Sequence, residues 1–205
     1  MLLRLCASFS KIVHFLRGVP PVFDNVLLQF DAEVHAGLEK FVGLVVPPSA
    51  WQQASLSLSH GGLGLRSARV HASAAYIASV SFASVSDGWD GSQSMGWKEA
   101  VTDYNTRVDL SSQLPLTPFS SPWGQHALSL SIENLALNQL LSLSSAWDQA
   151  RLRGVGLSGA SSWLAATPSF GLRQAFTPAE FSFLVRFWLG LDIQCISKAG
   201  SLSFL

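Results

Sequence analysis

Apolar residues recur at three- and four-residue steps through most of this chain, the spacing of helices that each bury one face. Leu2, Leu5, Cys6, Phe9, Ile12, Val13 and Leu16 form the first stripe, with Arg4, Lys11 and His14 opposite. Gly18 and Pro20-Pro21 end that helix, because proline lacks an amide donor and restricts the residue before it. Asp24 is placed to cap a second helix carrying Val26, Leu27, Phe30, Val34, Leu38, Phe41 and Val42, closed by Gly43 and Pro47-Pro48. The short join predicts that these two helices pack antiparallel.

Ser49 is expected to cap a short turn around Trp51. Leu56-Ser57-Leu58-Ser59 alternates like a strand but is too short and has no partner, so residues 56–65 read as a loop. Helix resumes near Ser67 and runs to about Val85, with small residues (Ala68, Ala72, Ser73, Ala74, Ala75, Ala78, Ser79) that let another helix approach closely. A polar stretch over 86–96 marks an internal boundary. Beyond it come a short helix with Trp97, Val101 and Tyr104, a loop with Pro115, Pro118 and Pro122, a helix over about Gln125 to Ser142, and a shorter one over Ala146 to Arg153. Thr177-Pro178-Ala179-Glu180 is a capping box that opens the last helix, and Gly190 is its stop. The expected fold is all-α, a loosely packed bundle of about six to seven helices with little or no β-sheet. It divides into two subregions, 1–85 and 97–205, joined by the 86–96 linker.

Composition narrows the classes. Apolar residues make up 48% of the 205, yet charged residues only 13%, against roughly 25% in typical domains. So little charge points to membrane contact or to apolar faces meant for a neighbour. No run reaches the roughly 18 apolar residues of a spanning helix, and Phe181 to Leu191 contains Arg186. A buried amphipathic helix is expected there, and no membrane partner. Net charge is zero, but residues 71–150 are acidic while the first and last thirds are basic. Two distant cysteines, Cys6 and Cys195, suggest an intracellular, non-secreted chain. Met1 to Pro21, basic and free of acids, also fits an import presequence.

Candidate chemistry is sparse. Gly61-Gly62-Leu63-Gly64 lacks the third glycine of a dinucleotide fingerprint and any Gly-Lys-Ser/Thr ending, so it reads as a tight connector. Arg66 and Arg69, at the start of the next helix, are within reach of a phosphate there. His14, His35, His60, His71 and His126 have no ligands at metal spacing, and no serine lies in a nucleophile elbow. No catalytic residue, metal, cofactor or small-molecule substrate is expected. Asp87 and Asp90 read as solvated loop. The seven tryptophans are expected to pack in the core more than to stack on bases.

Trp51-Gln-Gln-Ala-Ser-Leu-Ser-Leu-Ser-His-Gly-Gly-Leu-Gly-Leu-Arg-Ser-Ala68, followed by the alanine-rich helix, resembles the block just downstream of the polymerase core in non-LTR (LINE-like) retrotransposon reverse transcriptases. The opening segment Leu2 to Pro21 looks like that family's thumb helix, and Asp148-Gln-Ala-Arg-Leu152, Ser161-Ser-Trp-Leu164 through Pro168, and Phe181 to Gly190 look like later landmarks in the same order. The resemblance implies a thumb-like region followed by a post-polymerase linker that stops before the family's Cys/His zinc-binding segment.

Polymerase chemistry needs adjacent palm aspartates to hold two metal ions, and this chain has no adjacent aspartate pair. The implied function is therefore a non-catalytic remnant with weak, sequence-independent affinity for RNA or DNA backbone. Its implied partners are nucleic acid or the missing polymerase core. The candidate nucleic-acid contacts are Arg4, Lys11 and Arg17 on the first helix, with Arg66 and Arg69. A helical protein–protein interaction module with no nucleic-acid role is the alternative.

Overall fold

A computed structural model describes residues 9–21, 24–88, 90–116, 121–166, 169 and 175–193. Nine α-helices are present among them and no strand or sheet, so the fold is all-α. In chain order they are α1 (Phe9–Gly18), α2 (Asp24–Val42), α3 (Pro48–Ser55), α4 (Ala68–Asp87), α5 (Trp97–Asn105), α6 (Gln125–Leu143), α7 (Ala146–Val155), α8 (Ser162–Ala165) and α9 (Pro178–Leu189). Arg4 and the first turns expected of the opening helix lie outside the described residues, as do Cys6, Trp89, Pro118 and Cys195.

Helix α4 is the axis of the molecule. Its alanines remove the side-chain bulk that keeps helices apart, and α1, α2, α5 and α6 all pack against it. One apolar cluster sets Phe9 and Leu16 of α1 and Leu27 of α2 on Ala68, Ala72 and Ala75. Helices α1 and α2, expected to pack antiparallel, share α4 as their main partner among the described residues. Small residues made α4 the closer surface to approach, an effect the loop length between α1 and α2 does not contain.

On its next face, Ala74, Ile77 and Val80 meet Trp97, Val101 and Tyr104 of α5 and Leu128 and Ile132 of α6. Trp123 stacks on Trp97 with centroids 6.1 Å apart. A further cluster lies beside α2 and α3, where Val34, Leu38, Val42, Ala50 and Ala54 meet Leu63, Leu65, Val155, Leu164, Val185, Trp188 and Leu189. The clusters therefore join residues on both sides of the 86–96 stretch. Within that stretch Asp90 caps a 3₁₀ turn, Gly91–Gln93, and Gly91 is buried.

Two local expectations need correction. Ser49 is not the cap of α3: Pro47 precedes the helix and Pro48 opens it, because a missing amide costs nothing at the first position. Trp147 is not in the core but is 68% exposed on α7. Ser67 does cap α4, its hydroxyl accepting from Val70 N. Thr177 and Glu180 form the reciprocal box, and Gly190 ends α9 at φ 67°. Among the described residues no helix is long and apolar enough to cross a membrane.

Candidate nucleic-acid interface

The glycine loop is closed to phosphate by its own backbone. Gly61 N donates to Leu58 O, Gly62 N to Ser57 O, Leu63 N and Leu65 N to Ala54 O, and Gly64 N to Leu56 O, all at 2.8–3.2 Å. A phosphate cradle needs free amides converging on one point, and these five are taken. Gly61 and Gly64 have φ of 75° and 71°, the left-handed region that suits glycine. Gly62 is required for space, since a Cβ there would stand 2.0 Å from Leu56 O.

Below the loop lies a polar hub. Gln53, almost fully buried, donates to Gly61 O and Trp188 O, both at 3.0 Å, and accepts from Arg151 Nη1 at 2.9 Å. Arg151 also donates to Trp188 O at 2.6 Å, and the Trp188 indole N–H donates to Gly61 O at 2.8 Å. Burial lowers the Arg151 pKa from its ordinary value while the nearby Asp148 carboxylate pulls it back up. The Gln53 amide, Arg151 Nη1 and the Trp188 indole thus satisfy one another in a space where an orphaned polar atom would be costly.

The N-terminus of α4 would be the natural seat of an anion, because its free amides point outward. Asp31 of α2 already occupies it. One carboxylate oxygen accepts from Ala68 N at 2.7 Å; the other accepts from Arg69 N at 3.2 Å and from the Ser67 hydroxyl. Burial raises the Asp31 pKa, and these hydrogen bonds, with Arg69, oppose the rise. Arg69 itself pairs with Asp24 at 2.9 Å and Asp103 at 3.2 Å. Arg66 pairs with Glu133 at 2.7 Å, and that carboxylate is only 2% exposed. Both candidate arginines of the block therefore already have carboxylate partners within the chain.

The α1 candidates are different. Lys11 is exposed, and among the described residues it has no carboxylate partner. Arg17 is exposed and donates twice to Gln125 Oε1, at 2.9 and 2.6 Å, which orients the guanidinium without neutralising it. His14 and Phe15 lie between them on the same outward side.

One cluster was invisible along the sequence. His60 Nδ1 lies 2.8 Å from Ser57 Oγ and 3.3 Å from Glu133 Oε2, while Nε2 lies 3.0 Å from Asn134 Oδ1. In a nucleophilic triad the serine and the acid sit at opposite ring nitrogens. Here they share one, so the arrangement ties the loop to α6 and does not activate the serine. His35 stacks on Trp51 at 4.7 Å and makes a 3.0 Å contact with Val46 O. Among the described residues no group of three acidic, histidine or cysteine side chains is placed to hold a metal ion. No family model matches this chain, and neither a curated protein nor a solved structure was found to match it.

Proposed function

We propose that this chain is a non-catalytic helical segment of non-LTR retrotransposon reverse-transcriptase ancestry, with weak, sequence-independent contact to RNA or DNA backbone through the outer face of α1. One observation carries the ancestry: residues from separate landmarks of the resemblance meet at one hub. Gln53 and Trp188 are 135 positions apart and share a hydrogen bond, with Arg151 bonded to both. Trp163, from another landmark, packs edge-on against Trp188 at 5.6 Å. A shared architecture accounts for such an ordered set more simply than four independent likenesses do.

The contact surface follows from the ion pairs. Arg66 and Arg69 already have carboxylates, so the proposed interface rests on Lys11 and Arg17, with Arg4 adjoining in sequence. Two or three phosphate contacts give little affinity at physiological salt and a shallow salt dependence. Titrating the chain with an RNA–DNA hybrid in a filter-binding assay tests this. Binding that weakens as salt rises is expected, and no binding at low ionic strength refutes the nucleic-acid role.

A second reading, a protein–protein interaction module, is favoured by Phe176, Phe183 and Phe187, which stand exposed in and just before α9. It predicts a defined stoichiometry in static light scattering. Incorporation of nucleotides in a primer-extension assay would overturn both readings.

A further inference from the structure

Phe15 is 55% exposed on α1, on the side turned away from α4. The buried side of this helix is Phe9 and Leu16, with Ile12 and Val13 packed partly beside them. At 100° per residue, Lys11, His14 and Phe15 fall together on the opposite side, whereas Arg17 lies about 160° round the helix from Phe15 and turns to Gln125. Lys11 and Phe15 are one turn apart, so the ammonium and the ring are surface neighbours. Helix α1 has no acidic residue, and the nearest one along the chain, Asp24, is paired with Arg69. An aromatic ring beside a cation that has no carboxylate partner among the described residues matches one chemistry. It offers a flat apolar face to a base and positive charge to an adjoining phosphate. A duplex hides its base faces in the stack, and a single strand presents them.

Resting on the α1 reading above, we infer that the outer face of α1 is a stacking platform for single-stranded nucleic acid. Phe15 receives one base while Lys11, one turn away on the same face, holds the neighbouring phosphate. Selection is for strandedness and not for sequence, because every base has a face to stack and no side chain here reads an edge.

Fluorescence anisotropy of the whole chain with a labelled oligothymidylate and with a duplex of equal length tests this. Phe15→Ala should weaken single-strand binding about tenfold and leave duplex binding unchanged, whereas Phe15→Trp should preserve or strengthen the former. Lys11→Gln should weaken both. Phe15 is half in solvent, so thermal melts of the variants should overlay the parent and separate lost contact from lost fold. If Phe15→Ala leaves single-strand affinity intact while Lys11→Gln lowers it, the stacking platform is wrong and backbone contact stands. If neither nucleic acid binds at low salt, or anionic phosphatidylserine vesicles bind where oligonucleotides do not, both proposals fall.

Discussion

Gly62 sits where no side chain fits. The obstacle is a backbone oxygen, that of Leu56, which would lie 2.0 Å from a Cβ at this position, so no rotamer change can relieve the clash. Gly62→Ala should therefore cost more than about 2 kcal/mol, in the range of a disrupted core position. Gly154, inside α7 with open space around it, is the control: Gly154→Ala should gain about 0.5 kcal/mol from helix propensity alone. Urea unfolding of the two variants distinguishes them by sign, and equal effects would mean that the loop relaxes freely. The connector role of this loop was legible because glycine clusters encode local conformation. The partners of Arg66 and Arg69 were not. Glu133 lies 67 positions from Arg66, and Asp24 and Asp103 approach Arg69 from two other helices, so only the packing of α4 could bring them together.

Helix ends are where single side chains act on whole elements. Thr177 is exposed, so its contribution is confined to the cap, where its hydroxyl accepts from Glu180 N at 3.3 Å and its own amide donates to Glu180 Oε2 at 2.7 Å. Hydrogen bonds from the Thr177 backbone, then from its side chain, hold the Glu180 carboxyl below its usual range. Thr177→Ala should cost about 1 kcal/mol and lower the melting temperature by a few degrees. An unchanged melt would show that α9 is held by Trp188 and Arg186 without help from its cap. This box, like the Gly190 stop, was readable because such signals are local and stereotyped. Ser49 misled because a serine beside two prolines offers two capping registers, and Pro48 fits the first helical position better. The small residues of α4 announced close approach without saying which helix would approach; α1 and α2 both did.

At the scale of the whole molecule, the least comfortable group is His71. Its ring lies on α4 against Phe9 of α1, with centroids 5.7 Å apart, and its Nδ1 has no hydrogen-bond partner. Burial, and then the Arg66 charge, lower its pKa from 6.5 to about 4, with Arg107 adding to the fall and Glu133 opposing it. Between those two values the unfolded chain binds a proton that the folded chain refuses, so stability declines as pH falls through this window and is largely retained above it. A shift of this size is worth about 3 kcal/mol. Asp31 acts the other way, because a carboxyl whose pKa is raised by burial favours the folded state in acid. Asp103, whose burial is outweighed by Arg107, Ser73 and Arg69 so that its carboxyl is held below its ordinary range, adds to the loss further into acid. Urea unfolding at pH 7 and pH 5 measures it. The parent should lose stability between the two, and His71→Leu, which cannot take up the proton, should lose distinctly less. Equal losses would mean that His71 is hydrated or partnered in solution, and that the α1–α4 contact is open enough to admit water to its ring.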